Sequence, residues 1–209
     1  MFYFILVCLL IFWLFGSLWW YLSPESMMNI KYKTNYHLEK LNEPHLIIAS
    51  HCYNTVDAMI MCGESKKTKK TINIISEFKI SNRHDLFNQF WKSFPIYTSY
   101  RKINLYKGMK NNLVEKSKKY LDKEHVLMFL KEQNKSTGIY HILKEKKVPI
   151  LFVKIYKKDE ELKETDKSDM VSNFYGKDFK VDYNIVKDYK IDNIKPEEFM
   201  KWIKSNLYN

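Results

Sequence analysis

The sequence predicts an α/β domain, a central mixed sheet flanked by helices, preceded by one N-terminal transmembrane helix. Three observations point there. Short apolar runs of strand length alternate along the chain with segments of helical spacing, the pattern of a layered α/β domain. The first 22 residues carry no charged side chain. Glycine and proline number only five each, which argues against low-complexity linkers and against a glycine-rich phosphate loop.

The apolar leader comes first. At 1.5 Å per residue, residues 1–22 reach about 33 Å, enough for a hydrocarbon core of about 30 Å. Trp19, Trp20 and Tyr21 stand at its end, where an aromatic belt meets the headgroups. The competing interpretation is a cleaved signal peptide. Against it, no basic segment precedes the run, and the run exceeds a usual signal core. Lys31, Lys33 and Lys40 follow the span and no lysine precedes it, so the expected arrangement is a single-pass membrane protein with its main domain on the cytoplasmic face. Cys8, Cys52 and Cys62 form no C-x-x-C pair, in keeping with a reducing compartment. Residues 23–43 are polar and mixed and read as a juxtamembrane connector; residues 44–209 then form the domain.

Within it, Leu46 to Ala49 form a short buried strand bounded by Pro44 and Ser50. Asn54 is a good helix N-cap, Asp57 falls at the third helical position, and Gly63 is the expected stop. Lys66, Lys67, Lys69 and Lys70 make a basic loop, a solvated turn or a contact with anionic lipid. Thr71 to Ser76 reads as a second strand. Asp85 to Phe94 has the spacing of a short amphipathic helix, and Phe94 to Arg101 reads as a third strand. Met109 to Leu121 is helical in pattern, Val126 to Leu130 is a strand, and residues 131–136 are its polar exit loop. A short helix over Ile139 to Lys146 precedes Val148 to Ile155, the most strand-like run of all. Lys157 to Asp169 is a charged insert, expected as a mobile loop. Phe174 to Val181 suggests a last strand, and Pro196 opens a terminal helix.

Polar residues recur where strands end: His51 with Asp57, Arg101, and Glu132 with Lys135. In open α/β sheets such ends gather into one cleft. A base, an anion-binding arginine and an acid–lysine pair suit transfer chemistry on a phosphorylated hydroxyl compound. The net charge of +11 asks for an acidic partner such as lipid headgroups or a phosphorylated metabolite, although an AT-rich coding bias toward lysine inflates it.

These blocks, in their order, resemble the glycerolipid acyltransferase family, whose lysophosphatidic acid acyltransferases are the best-known members. Ser50-His51 through Asp57 stands for the family's histidine–aspartate block, and Phe94-Pro-Ile-Tyr-Thr-Ser-Tyr-Arg101 for its arginine block. Leu130-Lys-Glu-Gln-Asn-Lys-Ser136 stands for its Phe-Pro-Glu-Gly-Thr-Arg-Ser block, and Val148-Pro-Ile-Leu-Phe-Val153 for its proline-bearing strand. The likeness spans about residues 44–183. Five residues separate His51 from Asp57 where the family has four, and Lys131, Gln133 and Asn134 replace the family's proline, glycine and threonine. The extra residue falls among Cys52 and Tyr53, which predicts a small bulge; turned outward it would leave the pair intact, and turned any other way it would leave a lipid-binding relic of an enzyme.

The resemblance implies His51 as general base, oriented by Asp57, with Arg101, Glu132 and Lys135 binding the acceptor. It implies a lysophospholipid or glycerol phosphate as acceptor, acyl-CoA or an acyl carrier protein as co-substrate, the bilayer as partner, and no cofactor or metal. Blander readings compete. Asp57 alone is a sound helix cap, and Arg101 and Lys135 are two cations among 35. A zinc site from His45, His51, Cys52 and Cys62 matches no common spacing. Cys52 as nucleophile would face away from His51 on an extended segment. Two other classes stand beside the enzyme: an inactive lipid-binding protein of the same fold, and a basic nucleic-acid binder resting on charge alone, which no recognition motif supports and a membrane span argues against, so no nucleic-acid partner is expected.

Overall fold

A computed structural model describes residues 3–11, 29–53, 55–65, 68, 70–76, 103–107, 113–158 and 176–208. Among these, one mixed sheet holds seven strands: β1 (Lys31–Thr34), β2 (Leu46–Ser50), β3 (Ile72–Ser76), β4 (Ile103–Lys107), β5 (His125–Leu130), β6 (Ile150–Lys157) and β7 (Asp178–Val186). Four helices accompany it: α1 (Thr55–Ser65), α2 (Leu113–Tyr120), α3 (Gly138–Glu145) and α4 (Pro196–Tyr208). The strand order is β1-β7-β6-β2-β5-β3-β4. Every neighbouring pair is parallel except β6 with β7. The mixed α/β class expected from the sequence is therefore present.

The residue pattern explains the placement. All five residues of β2 are buried, as are the first four of β6, so these are the interior strands of a sheet covered on both faces. In β7, Phe179, Val181 and Tyr183 are buried while Lys180 and Asn184 are exposed, the alternation of a strand covered on one side. Two cores result. On one face Ile47, Ala49, Leu151 and Val153 meet Val56, Ile60 and Met61 of α1 together with Leu38 and Leu41. On the other, Ile48, Ile150 and Phe152 meet α3 and the α4 stripe of Phe199, Met200, Ile203 and Leu207. Pro196 begins α4, where its missing N–H costs nothing, and Glu197 and Glu198 favour the helix start.

Several expectations need correction. The stretch 23–43 is more than a connector: it supplies β1, pairing Lys31 to Thr34 with Asp178 to Val181, and buries Ile30, Leu38 and Leu41. Gly63 does not stop α1, which runs to Ser65, because the next residue, Glu64, is buried and accepts a 2.7 Å hydrogen bond from the Tyr32 hydroxyl. The last strand extends to Val186 since β7 pairs with the whole length of β6. It begins after Gly176, whose φ of 69° marks a left-handed turn. β4 lies beyond Arg101 and pairs along all of β3, a strand not anticipated at Ile103–Lys107.

The helix expected over 85–94, the strand over 94–101, Asn54, three lysines of the basic loop and most of the charged insert lie outside the described residues. Of the leader, residues 3–11 are helical with exposed side chains, and the remainder lies outside. Among the described residues no helix is long and apolar enough to cross a membrane, so the transmembrane helix is not supported.

Since β7 runs antiparallel to β6 and β1 runs parallel to β7, β1 begins at the edge where β2, β5 and β6 end.

Candidate active site

β2 lies between β5 and β6, so the residue after Ser50 emerges from the middle of the sheet at the carboxyl ends of three parallel strands. That residue is His51. The β2–β6 ladder stops at Ala49 opposite Val153. Beyond it, Ser50 Oγ accepts the Ile155 N–H at 2.9 Å, so a side chain replaces the ladder where the strands part. The His51 ring packs against Phe129 with centroids 5.6 Å apart, on the face that α1 covers.

Asp57 is the third residue of α1, as the cap spacing predicts, and the side chain is wholly buried. Its Oδ2 stands 3.2 Å from His51 Nδ1 and accepts the Tyr53 backbone N–H at 2.9 Å. Burial pushes the Asp57 carboxyl above its ordinary range, while the imidazole and the N–H groups of Tyr53 and Cys52 pull it back toward ionisation. The arrangement can fix the imidazole in the tautomer with the proton on Nδ1, leaving Nε2 as the basic nitrogen.

The extra residue between His51 and the helix is absorbed inward, not outward. Cys52 and Tyr53 are both buried. The Tyr53 ring meets Phe179 edge-on at 5.3 Å, its hydroxyl accepts the Lys157 N–H at 3.2 Å, and Lys157 Nζ lies 5.8 Å from its ring. The pair is held together all the same, because the inward turn aims the Tyr53 N–H at Asp57.

Tyr208, on the last turn of α4, also escapes sequence reasoning. Its hydroxyl accepts the His51 backbone N–H at 3.4 Å and donates to the Leu130 carbonyl. The terminal helix thus ties the ends of β2 and β5 together. Its apolar stripe is legible in the sequence; the hydroxyl's target is not.

The other expected residues are less gathered. Leu130 is in register with Ser50, so the loop after β5 opens on the same edge as His51. Glu132 and Lys135 in that loop are both exposed, and neither is bonded to His51 or Asp57. The loop instead organises itself, with Asn134 Oδ1 accepting the Ser136 N–H at 2.7 Å and Ser136 Oγ accepting the Gly138 N–H at 3.3 Å ahead of α3. Arg101 lies outside the described residues. His45 sits at the opposite end of β2 from His51, about 20 Å away along the strand. No group of three or more metal-ligating side chains occurs among the described residues.

No known family profile matches the chain. No curated protein sequence matches it either. Among solved structures, the chain is similar to the 1-acyl-sn-glycerophosphate (LPA) acyltransferase PlsC from Thermotoga maritima, with a TM-score of 0.51 and 12% identity over 87% of this chain and 72% of that one. Identity this low shows a distantly shared fold and nothing of the chemistry.

Proposed function

We propose that this chain is a membrane-associated acyltransferase that moves a fatty acyl group from a thioester donor to a hydroxyl of a lysophospholipid or glycerol phosphate. The observation that carries this reading is the buried His51–Asp57 pair, 3.2 Å apart at the carboxyl end of the central strand. Neutral His51 takes the hydroxyl proton on Nε2 as the oxygen attacks the thioester carbonyl. The tetrahedral intermediate then collapses, the C–S bond breaks, and the imidazolium returns its proton to the departing thiolate. Asp57 holds the ring and stabilises the imidazolium through Nδ1–H. Arg101, Glu132 and Lys135 are assigned to the acceptor's headgroup, with Arg101 supplying a planar donor fork for its phosphate. The donor is acyl-CoA or an acyl carrier protein, the reaction needs no resident cofactor, and the apolar leader attaches the enzyme to the cytoplasmic face of the bilayer.

The test is acyl transfer by membranes containing the full chain, scanning lysophospholipid and glycerol phosphate acceptors with one acyl-CoA. Transfer that His51→Ala abolishes supports the reading. The exposure of Glu132 and Lys135, neither bonded to the pair, favours a second reading: a catalytically inactive lipid-binding protein of the same fold. Lipid binding with no transfer above vesicles lacking the protein would select it.

A further inference from the structure

On the face of the sheet opposite α1, α3 and α4 cover the middle strands, and the β6–β7 surface beside them carries polar side chains. A cleft of about 500 Å³ opens there, lined by Asn35, Lys154, Lys180, Asp182, Tyr183 and Asn184. Its size lies within the range of small-molecule sites. Strand register explains the lining. Lys33, Lys180 and Tyr156 form one row across β1, β7 and β6, and Asp182 and Lys154 form the next. Asn35 fixes the rim, exchanging two hydrogen bonds with the Tyr183 backbone at 3.2 and 2.8 Å.

The charges there do not cancel. Asp182 accepts from Lys180 Nζ at 3.1 Å and from the Tyr156 hydroxyl, so the one acid of the cleft is already engaged. Lys154 and the neighbouring Lys33 have no ion-pair partner among the described residues. A second cleft, of about 460 Å³ between Lys147 and Asp192, gives the contrast. There Lys147 is paired with Asp192 at 3.1 Å and Lys187 with Glu43 at 3.0 Å, and Asp188 adds another acid. With Lys190 and the neighbouring Glu43 counted, three lysines there face three acids, whereas Lys154, Lys180 and the neighbouring Lys33 face Asp182 alone beside the Asn184 amide.

We propose that the β6–β7 cleft binds a phosphate-bearing small molecule, at a site separate from the His51–Asp57 pair. Alternation places Lys154 and Asp182 on the Phe152 face, whereas His51 packs on Phe129 and α1 on the other face. The Lys154 ammonium and the Asn184 amide, with Lys33 on the strand row beyond the lining, suit the compact charge of a phosphate. The proposal does not rest on acyl transfer.

Calorimetric titration of the full chain with pyrophosphate tests it, with circular dichroism melts to verify that each variant folds. Lys154→Gln and Lys33→Gln should each weaken binding about fivefold, the scale of one partly exposed charge pair. Asp182→Asn should strengthen it, since the competing carboxylate is gone. Lys190→Gln, which lines the balanced cleft, should leave it unchanged. Binding that Lys154→Gln does not alter, or that Lys190→Gln weakens equally, overturns the site. So does a protein that ignores pyrophosphate yet binds phosphatidate vesicles through Lys154, which would make this face a membrane contact.

Discussion

Tyr53 stands where the chain carries one residue more than the pattern it resembles, and it shows how an insertion can be kept harmless. Its side chain is buried between Phe179 and Lys157, and its N–H is spent on Asp57. An aspartate that served only as a helix cap would make the Tyr53 bond and have no need of His51. Asp57→Asn therefore separates the roles: the amide oxygen still accepts the Tyr53 N–H, but the charge facing the imidazole is lost. Turnover should fall at least a hundredfold while the melting temperature moves by only a few degrees; turnover near wild type would refute the proposed mechanism. The His51 and Asp57 placement was readable because both positions follow from local order, a strand end and a helix start. Tyr208 was not, since nothing near residue 208 in the chain records that its hydroxyl meets Leu130.

A different histidine pair, His45 and His125, is the one whose burial lowers both pKa values and ties folding to pH. His125 is buried, its Nδ1 accepts the His45 backbone N–H at 3.2 Å, and burial first, then the charges of His45 and Lys70, lower its pKa to about 4. An unfolded chain takes up that proton near pH 6.5, so stability falls as pH drops from about 6.5 to about 4 and the loss then levels off. At about 1.4 kcal/mol per unit the loss over this window is about 3.5 kcal/mol. Asp57, raised by burial, works in the opposite direction. His125→Asn keeps an acceptor for His45 and removes the titration. The stability difference between wild type and variant, from urea melts at successive pH values, should change by that amount across this window. A constant difference would exclude it.

At the scale of elements, the strands most legible in the sequence are those buried on both faces. β2 and β6 are continuous apolar runs, and no surface detail competes with that signal. β1 is the contrary case. Lys31-Tyr-Lys-Thr has four residues, two of them charged, and it is a strand only because β7 offers it an edge. What anchors it is tertiary: the Tyr32 hydroxyl reaches Glu64 on α1, across the core. The same contact overrides Gly63 as a helix stop. Tyr32→Phe should cost about 1–3 kcal/mol, because a buried carboxylate loses a donor and no apolar surface is gained in return. Limited proteolysis should then cut the segment before β2 sooner than in wild type. Equal protection in both proteins would show that β1 is held by the ladder alone.

For the whole molecule, the consequence that matters lies in the direction of β1. It starts at the edge where β2 ends in His51, so the chain enters the sheet on the side that carries the His51–Asp57 pair. Under the proposed attachment, the length of chain between the leader and β1 sets how far the imidazole stands from the lipid surface. Catalysis on membrane-borne acceptors becomes a matter of effective concentration, which declines as a flexible leash grows. Inserting a Gly-Ser segment before Asn29 should slow transfer to acceptors held in vesicles and leave transfer to soluble glycerol phosphate unaltered. If both rates fell together, the leash would be acting through the fold; if neither moved, the leader would be an address and not a ruler.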